Sequence, residues 1–372
     1  MKSYLKIAVV MFTVAVLSGA SLVYAQGTVG INTASPTSSN LNSVSIVSNT
    51  TGTPTLVNSN AWAVGDGGTI IMWNGTRWVT MTSPTTTNLN SIVMITNNSG
   101  LAVGGNSTNG IILRYNGNWS VMTTSSPINQ TLYGVTADAS GSPAFAVGAN
   151  GTIMMWNGNQ WTQQTSPTRN TLRSVALVHN SNNAWAVGDN GAIVQYNGSN
   201  WSNVTSPTTS QLNSVAMVNT TSGWAVGGSS NTGVIINMNG TTWSNFTKIN
   251  FGVSTPNATA RLNATLNSLT IDTPNSAWAA GASGMVLYWT GSEWAGQLNV
   301  LSVGNIRSIA MVHGAASGTS QAWGVGDGGK IIAWTGTSWI PEIPIIALPI
   351  LLAAIALAAF VGKAKLSKKL QV

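Results

Sequence analysis

Short apolar runs alternate with stretches rich in Gly, Asn, Ser and Thr along most of the chain, and the runs recur as copies of one unit. Each copy opens with a Leu-x-Ser-Val-like tetrad: Leu41 to Val44, Leu89 to Ile92, Leu132 to Val135, Leu172 to Val175, Leu212 to Val215, Leu266 to Leu269 and Ile306 to Ile309. An aromatic-Ala-Val-Gly segment follows at Trp62, Phe145, Trp185 and Trp224, with variants beginning at Leu101, Trp278 and Trp323. Next comes Gly-x-Ile-x-x-Trp-Asn-Gly, as in Gly68 to Gly75 and Gly151 to Gly158. Each unit ends on a further tryptophan: Trp78, Trp119, Trp161, Trp201, Trp243, Trp294 and Trp339. The runs are short, rich in Val, Ile, Trp and Thr, and bounded by turn residues, so each predicts a strand. Asn-Gly before the last tryptophan predicts a tight hairpin, since both residues tolerate positive φ.

Four short strands in a unit of about 40–50 residues predict one propeller blade. Seven units predict an all-β, seven-bladed β-propeller with four-stranded blades; an open stack of repeats is the alternative. Residues 28–34 align with the strand that begins at Trp78, whereas Pro341 and Pro344 curtail the strand at Trp339. An N-terminal strand is therefore expected to complete the last blade and close the ring. All sixteen tryptophans fall at repeat positions, which predicts inter-blade packing rather than sugar stacking.

The two ends change the picture. Lys2 and Lys6, an apolar run over 7–23 and the small-residue site Val23-Tyr24-Ala25 predict a signal peptide over 1–25. The uncharged stretch 343–362, within a predicted transmembrane helix over 341–362, is followed by a Lys-rich tail over 363–372. That charge asymmetry puts the tail in the cytoplasm and the ectodomain, 26–340, on the external face of a plasma membrane crossed once. Of the net charge of +7, six basic residues belong to these ends. The ectodomain sets eight Lys/Arg against seven acids, so no basic surface for nucleic acid is expected. No cysteine is present, which excludes disulfides and thiolate metal sites. Fifteen Asn-x-Ser/Thr sequons are glycosylation candidates on an exported chain: Asn49, Asn74, Asn97, Asn106, Asn118, Asn129, Asn150, Asn197, Asn200, Asn203, Asn219, Asn239, Asn245, Asn257 and Asn263. None follows Asn263, so the last two blades are expected to form a sugar-free flank near the membrane.

The Trp62-Ala-Val-Gly-Asp66-Gly-Gly and Trp73-Asn-Gly-Thr-Arg-Trp78 segments resemble the photosystem II assembly-factor-like and sialidase-type Asp-box propellers. The Asp-box is incomplete here, with only the Gly and the closing Trp of 74–78 retained. The resemblance therefore implies architecture more than activity. Dense sequons, absent cysteines and the Lys-rich anchor are similar to those of archaeal surface glycoproteins.

Chemistry is sparse. Sialidase-type catalysis needs an arginine cluster, a Tyr/Glu pair and an acid on the axis, yet Glu293 precedes a structural tryptophan. Asp66, Asp189 and Asp327 recur in one Gly-Asp-x-Gly turn and read as turn residues capping their own backbone. His179 and His313 lie in different blades, and no metal site or cofactor is expected. The second position of the opening tetrad reads Asn42, Asn90, Tyr133, Arg173, Asn213, Asn267 and Arg307. With that strand innermost, these side chains ring one channel mouth. Tyr133, Arg169, Arg173, Arg261 and Arg307 are the candidate anion- or glycan-accepting rim, with surface proteins or glycans as partners. The expected function is non-catalytic recognition, adhesion or scaffolding at a cell surface. The alternatives are a glycan-processing hydrolase and a passive surface-coat component.

Overall fold

The computed structural model describes residues 33–48, 53–178, 181–229, 232–251, 262–297, 304–313, 321–335 and 339–340. The expected signal peptide, residues 28–32 of the expected closing strand, the 341–362 apolar segment and the tail lie outside them. So do Asn49, His179, Asn257 and Arg261. Among the described residues, no helix is long and apolar enough to cross a membrane.

The described residues form seven antiparallel sheets, each built from four consecutive strands in chain order. The blades run over Leu41–Thr80, Leu89–Val121, Leu132–Gln163, Leu172–Asn203, Leu212–Asn245, Leu266–Gln297 and Ile306–Ile340. First strands of successive blades pack on one another, and the first strand of blade 1 packs on that of blade 7. The first strands are therefore innermost and the ring is closed. Because strands alternate in direction, first strands begin at one end of the channel, and the hairpins joining strands 1–2 and 3–4 lie at the other. Blade 6 gains a fifth strand, Ile249–Asn250, which runs parallel to the Trp294 edge strand.

At the six seams from blade 1 to blade 7, apolar side chains of adjoining blades share one cluster each. Trp62 of blade 1 joins Leu89, Tyr115 and Trp119 of blade 2, and Phe145 of blade 3 joins Leu172, Tyr196 and Trp201 of blade 4. Twelve of the sixteen tryptophans are buried, so these rings serve packing and are closed to a sugar.

Polar bonds cross the same seams in register. The serine of the opening tetrad accepts a hydrogen bond from a backbone N–H of the next blade at 3.1–3.2 Å. The pairs are Ser43–Ile92, Ser91–Val135, Ser174–Val215, Ser214–Leu269, Ser268–Ile309 and, across the closure, Ser308–Val44. Only blade 3 lacks this staple, because Gly134 takes the serine's place.

Closure uses the same repeat contacts. The turn glycines Gly68, Gly151 and Gly191 sit so close to the carbonyls of Thr85, Thr168 and Thr208 that a Cβ would fall about 2 Å from oxygen, and Gly329 of blade 7 meets Thr37 in the same way. Asn40 Oδ1 accepts from the Gly328 N–H at 2.9 Å, as Asn88 Oδ1 does from Gly67. Trp323 packs on Trp73 and Trp78 at ring separations of 5.0 and 5.2 Å. The last sheet takes its fourth strand from the segment that follows its third, Trp339–Ile340, while Thr33 and Ser35 are buried but outside any strand.

Among the described residues, the hairpins before the final tryptophans of blades 1 to 6 differ from expectation in their detail. Only the glycine has positive φ, as at Gly75 (92°) and Gly158 (97°). The asparagine instead accepts backbone N–H groups through Oδ1, Asn74 from Thr76 and Arg77 and Asn157 from Asn159 and Gln160. Thr290 Oγ1 does the same in blade 6, which explains the Thr-Gly variant there.

Candidate functional site

The seven second-position residues converge for a structural reason that simple alternation hides. In every blade the register between first and second strands shifts at this residue, between Leu41 and Ser43 in blade 1 and at the equivalent point in the other six. Each is the extra residue of a β-bulge, a device that re-aims one side chain out of the ladder. The bulge also lets Leu41 and Val44, three apart, both point into the core.

Asn42, Asn90, Tyr133, Arg173, Asn213, Asn267 and Arg307, together with Asn305, line one cavity of about 360 Å³ at the channel mouth. Four of the amides are clasps as well as lining. Asn42, Asn90, Asn213 and Asn267 each donate Nδ2 to the carbonyl that opens the next blade, at 2.8–3.0 Å. Blades 3, 4 and 7 replace the clasp by Tyr133, Arg173 and Arg307.

Both arginines are already paired. Arg173 Nε donates to Asp189 Oδ1 and Arg307 Nε to Asp327 Oδ1, with all four side chains roughly a third exposed. Exposed pairs of this kind contribute only about 0–1 kcal/mol to stability, so their role is to orient the guanidinium. Asp66 accepts Asn42 Nδ2 and Asn40 Nδ2 at 2.9 and 2.8 Å, and Asp327 also accepts Asn305 Nδ2 at 2.8 Å. The three aspartates are therefore buttresses of the rim. Among the described residues, the bonds that their carboxylates accept come from Asn and Arg side chains and none comes from a backbone N–H of their own turns. This corrects the reading of the Gly-Asp turns, and the missed signal was the pairing of Arg with Gly-Asp within units 4 and 7.

The two arginines differ in what else they meet. Arg307 Nη1 donates to Asn42 Oδ1 at 3.0 Å, which links Asp327, Arg307, Asn42 and Asp66 across blades 7 and 1. The Arg173 guanidinium lies 5.8 Å from the centre of the Tyr133 ring, a cation–π contact across blades 3 and 4. Arg169 is exposed and does not line the cavity, and Arg261 lies outside the described residues. Asn305, absent from the expected set, also lines it, from the position before the opening tetrad of blade 7.

The cavity thus presents amides, a phenol and two neutralised guanidinia, while the carboxylates stand behind them, already accepting hydrogen bonds. Glu293 is at the outer edge of blade 6, where it accepts Asn250 Nδ2 at 3.1 Å. Among the described residues no cluster of three His, Asp or Glu side chains could hold a metal. All thirteen described sequon asparagines are exposed.

The fold and site define a seven-bladed β-propeller whose channel mouth is polar and charge-balanced. No protein-family model matches the chain, and no curated protein matches it. Among solved structures it is similar to YCF48 in the structure "YCF48 bound to D1 peptide", with a TM-score of 0.59 at 18% identity over 81% of this chain and 94% of that one. YCF48 from Cyanidioschyzon merolae is similar at a TM-score of 0.57 and 15% identity, over 80% and 96%. At these identities the likeness is one of fold.

Proposed function

We propose that this chain is a non-catalytic binding propeller of the cell surface, which seats a segment of another protein on the rim of its channel. The observation that carries the reading is the cavity itself: seven bulge residues from seven blades converge on one mouth, and most are fixed there by bonds between blades. Such preorganised amides and paired guanidinia suit polar main chain and side chains. Tyr133 is the phenol of the mouth, and no carboxylate lines the cavity beside it to act as its base. The likeness to a YCF48 bound to a D1 peptide supports a polypeptide occupant.

Surface display rests on the sequence ends: a signal peptide, an apolar 341–362 segment that spans the bilayer, and a cytoplasmic Lys-rich tail. Strand direction adds to this. The fourth strand of blade 7 runs toward the rim end, so Ile340 leaves the propeller beside the rim. In this reading the rim faces the membrane and its partner is itself membrane-held. N-linked sugar on the exposed sequons supplies the solubility that so few charges cannot.

The test is cross-linking on intact cells with a membrane-impermeant reagent. The wild-type propeller should be labelled and should capture a partner. Replacing Tyr133, Arg173 and Arg307 together by Ala should reduce capture at least about tenfold, the equivalent of ~1.4 kcal/mol, with the unfolding midpoint little changed. Unchanged capture by the triple variant overturns the rim as the binding site, and an unlabelled propeller overturns surface display.

A further inference from the structure

A second cavity, of about 190 Å³, lies at the other end of the molecule in the seam between blades 2 and 3. Its origin is a single gap in the repeat. Six blades place an aromatic ring at the start of the aromatic-Ala-Val-Gly strand, where it packs into the next blade. Trp62 meets Tyr115, Phe145 meets Tyr196 and Trp201, Trp224 meets Trp289 and Trp294, and Trp323 meets Trp73 and Trp78. Blade 2 has Leu101 there, and a leucine leaves the space beside Trp156 unfilled. Ile95 and Met122 complete the apolar wall, and Trp156 is only half-buried against it.

The cavity also carries a charge. Arg114 is the direct cross-strand neighbour of Leu101, so both side chains project toward the same seam. The equivalent positions carry Met72, Met155, Gln195, Asn237, Tyr288 and Ala333, none of them charged. Arg114 is exposed and, unlike Arg173 and Arg307, forms no ion pair among the described residues. The nearby loop acid, Asp138, accepts the Ser140 N–H and hydroxyl through Oδ1 and does not line the cavity.

Size limits the occupant. A void of roughly 150 Å³ holds a benzene ring, whereas pockets for larger ligands start near ~300 Å³. The remaining lining is serine and glycine, Ser99 and Gly100 at the start of a strand, 140–142 in a turn and Gly158 in a hairpin, whose small side chains leave main chain at the surface and so match a polypeptide rather than an acyl tail. We propose that this cleft receives one aromatic side chain of a partner polypeptide, with Arg114 pairing the carboxylate that lies next to it. The site is separate from the rim, so the two proposals can fail independently.

The test uses the full chain, labelled with ¹³C at the methionine methyls, and two small probes, N-acetyl-phenylalanine and its amide. Met122 is the reporter, assigned through Met122→Leu. N-acetyl-phenylalanine should shift the Met122 resonance saturably, and the amide should bind about tenfold more weakly because a charge-assisted bond is lost. Leu101→Trp restores the ring that other blades carry, so it should keep the fold and abolish the shift. Arg114→Gln should bind acid and amide equally. The proposal is overturned if wild type shows no saturable shift, if folded Leu101→Trp responds like wild type, or if Arg114→Gln still prefers the acid.

Discussion

The seam between blades 1 and 2 and the seam between blades 3 and 4 are built from equivalent residues yet held by different forces. At the first, Ser43 staples the Ile92 N–H, Ser45 accepts a second bond from Met94 at 2.9 Å, and Asn42 clasps the Leu89 carbonyl. At the second, the staple position is Gly134 and the clasp position is Tyr133. The weaker bond from Leu177 N–H to Thr136, at 3.4 Å, and the Tyr133–Arg173 contact are what cross it near the axis. The apolar parts are alike, with Trp62 on Tyr115 in one and Phe145 on Tyr196 and Trp201 in the other. The lesson is that hydrophobic packing defines the ring, while polar bonds near the axis are dispensable one seam at a time. Where a clasp is given up, the freed position becomes available to the rim: Tyr133, Arg173 and Arg307 are the three second positions that do not hold the next blade's carbonyl.

The largest effect expected from this comparison is loss of the ring that carries the weaker seam. Phe145 is fully buried, so Phe145→Ala should cost about 3–5 kcal/mol through lost burial and a residual cavity. That is a large share of a typical net stability of roughly 5–15 kcal/mol. Trp62→Ala should cost a similar amount globally. Only the Phe145 variant should also open locally, with blade 3–4 amides exchanging before the rest. Equal local protection in both variants, read by hydrogen exchange, would show that the polar bonds contribute nothing. The staples come next in size. Ser308→Ala removes the acceptor for a buried Val44 N–H at the closing seam and should cost about 1–3 kcal/mol in denaturant unfolding. A loss below about 0.5 kcal/mol would mean that water reaches that N–H, and the contrast between seams would lose its energetic meaning.

Much of this architecture is legible in the residues. Seven tetrads, seven terminal tryptophans and the turn residues between them define blades and strands, because each strand is short and punctuated. The ring of second positions is legible too, once the first strand is taken as innermost. What cannot be read is contact at a distance. Asp189 lies 16 residues from Arg173, and a local turn reading accounts for it fully, so its role as a buttress stays hidden until the bulge places both at one mouth. The serine staple is hidden for the same reason, since its partner is about 40 residues away. Arg169, four residues before Arg173 in sequence, is exposed and does not line the cavity, because it sits in the connecting loop ahead of the strand that carries the bulge. Leu101 is visible as a break in the aromatic series, but that it opens a cavity depends on Trp156 of the next blade and on the cross-strand register that sets Arg114 beside Leu101.

The smallest effect comes from restoring the missing staple. Gly134→Ser supplies the hydroxyl that other blades carry and should gain about 1 kcal/mol for one more intramolecular hydrogen bond. Against this, a Cβ at Gly134 would lie 3.0 Å from both the Arg173 carbonyl oxygen and Ser174 Cα, so the backbones of blades 3 and 4 must part by a few tenths of an ångström. Overpacking of this kind costs about 1–3 kcal/mol when nothing yields. The two terms nearly cancel, and the expected net change is within about 1 kcal/mol. The informative readout is local: the Val175 amide, equivalent to Val135 and Val215, should exchange more slowly in Gly134→Ser by up to about tenfold, the counterpart of ~1.4 kcal/mol. Slower exchange without greater stability would show that the seam exchanges packing for a bond. Exchange unchanged or faster would mean that the close approach at Gly134 is itself the clasp, and that glycine stands there for fit rather than as a gap in the pattern.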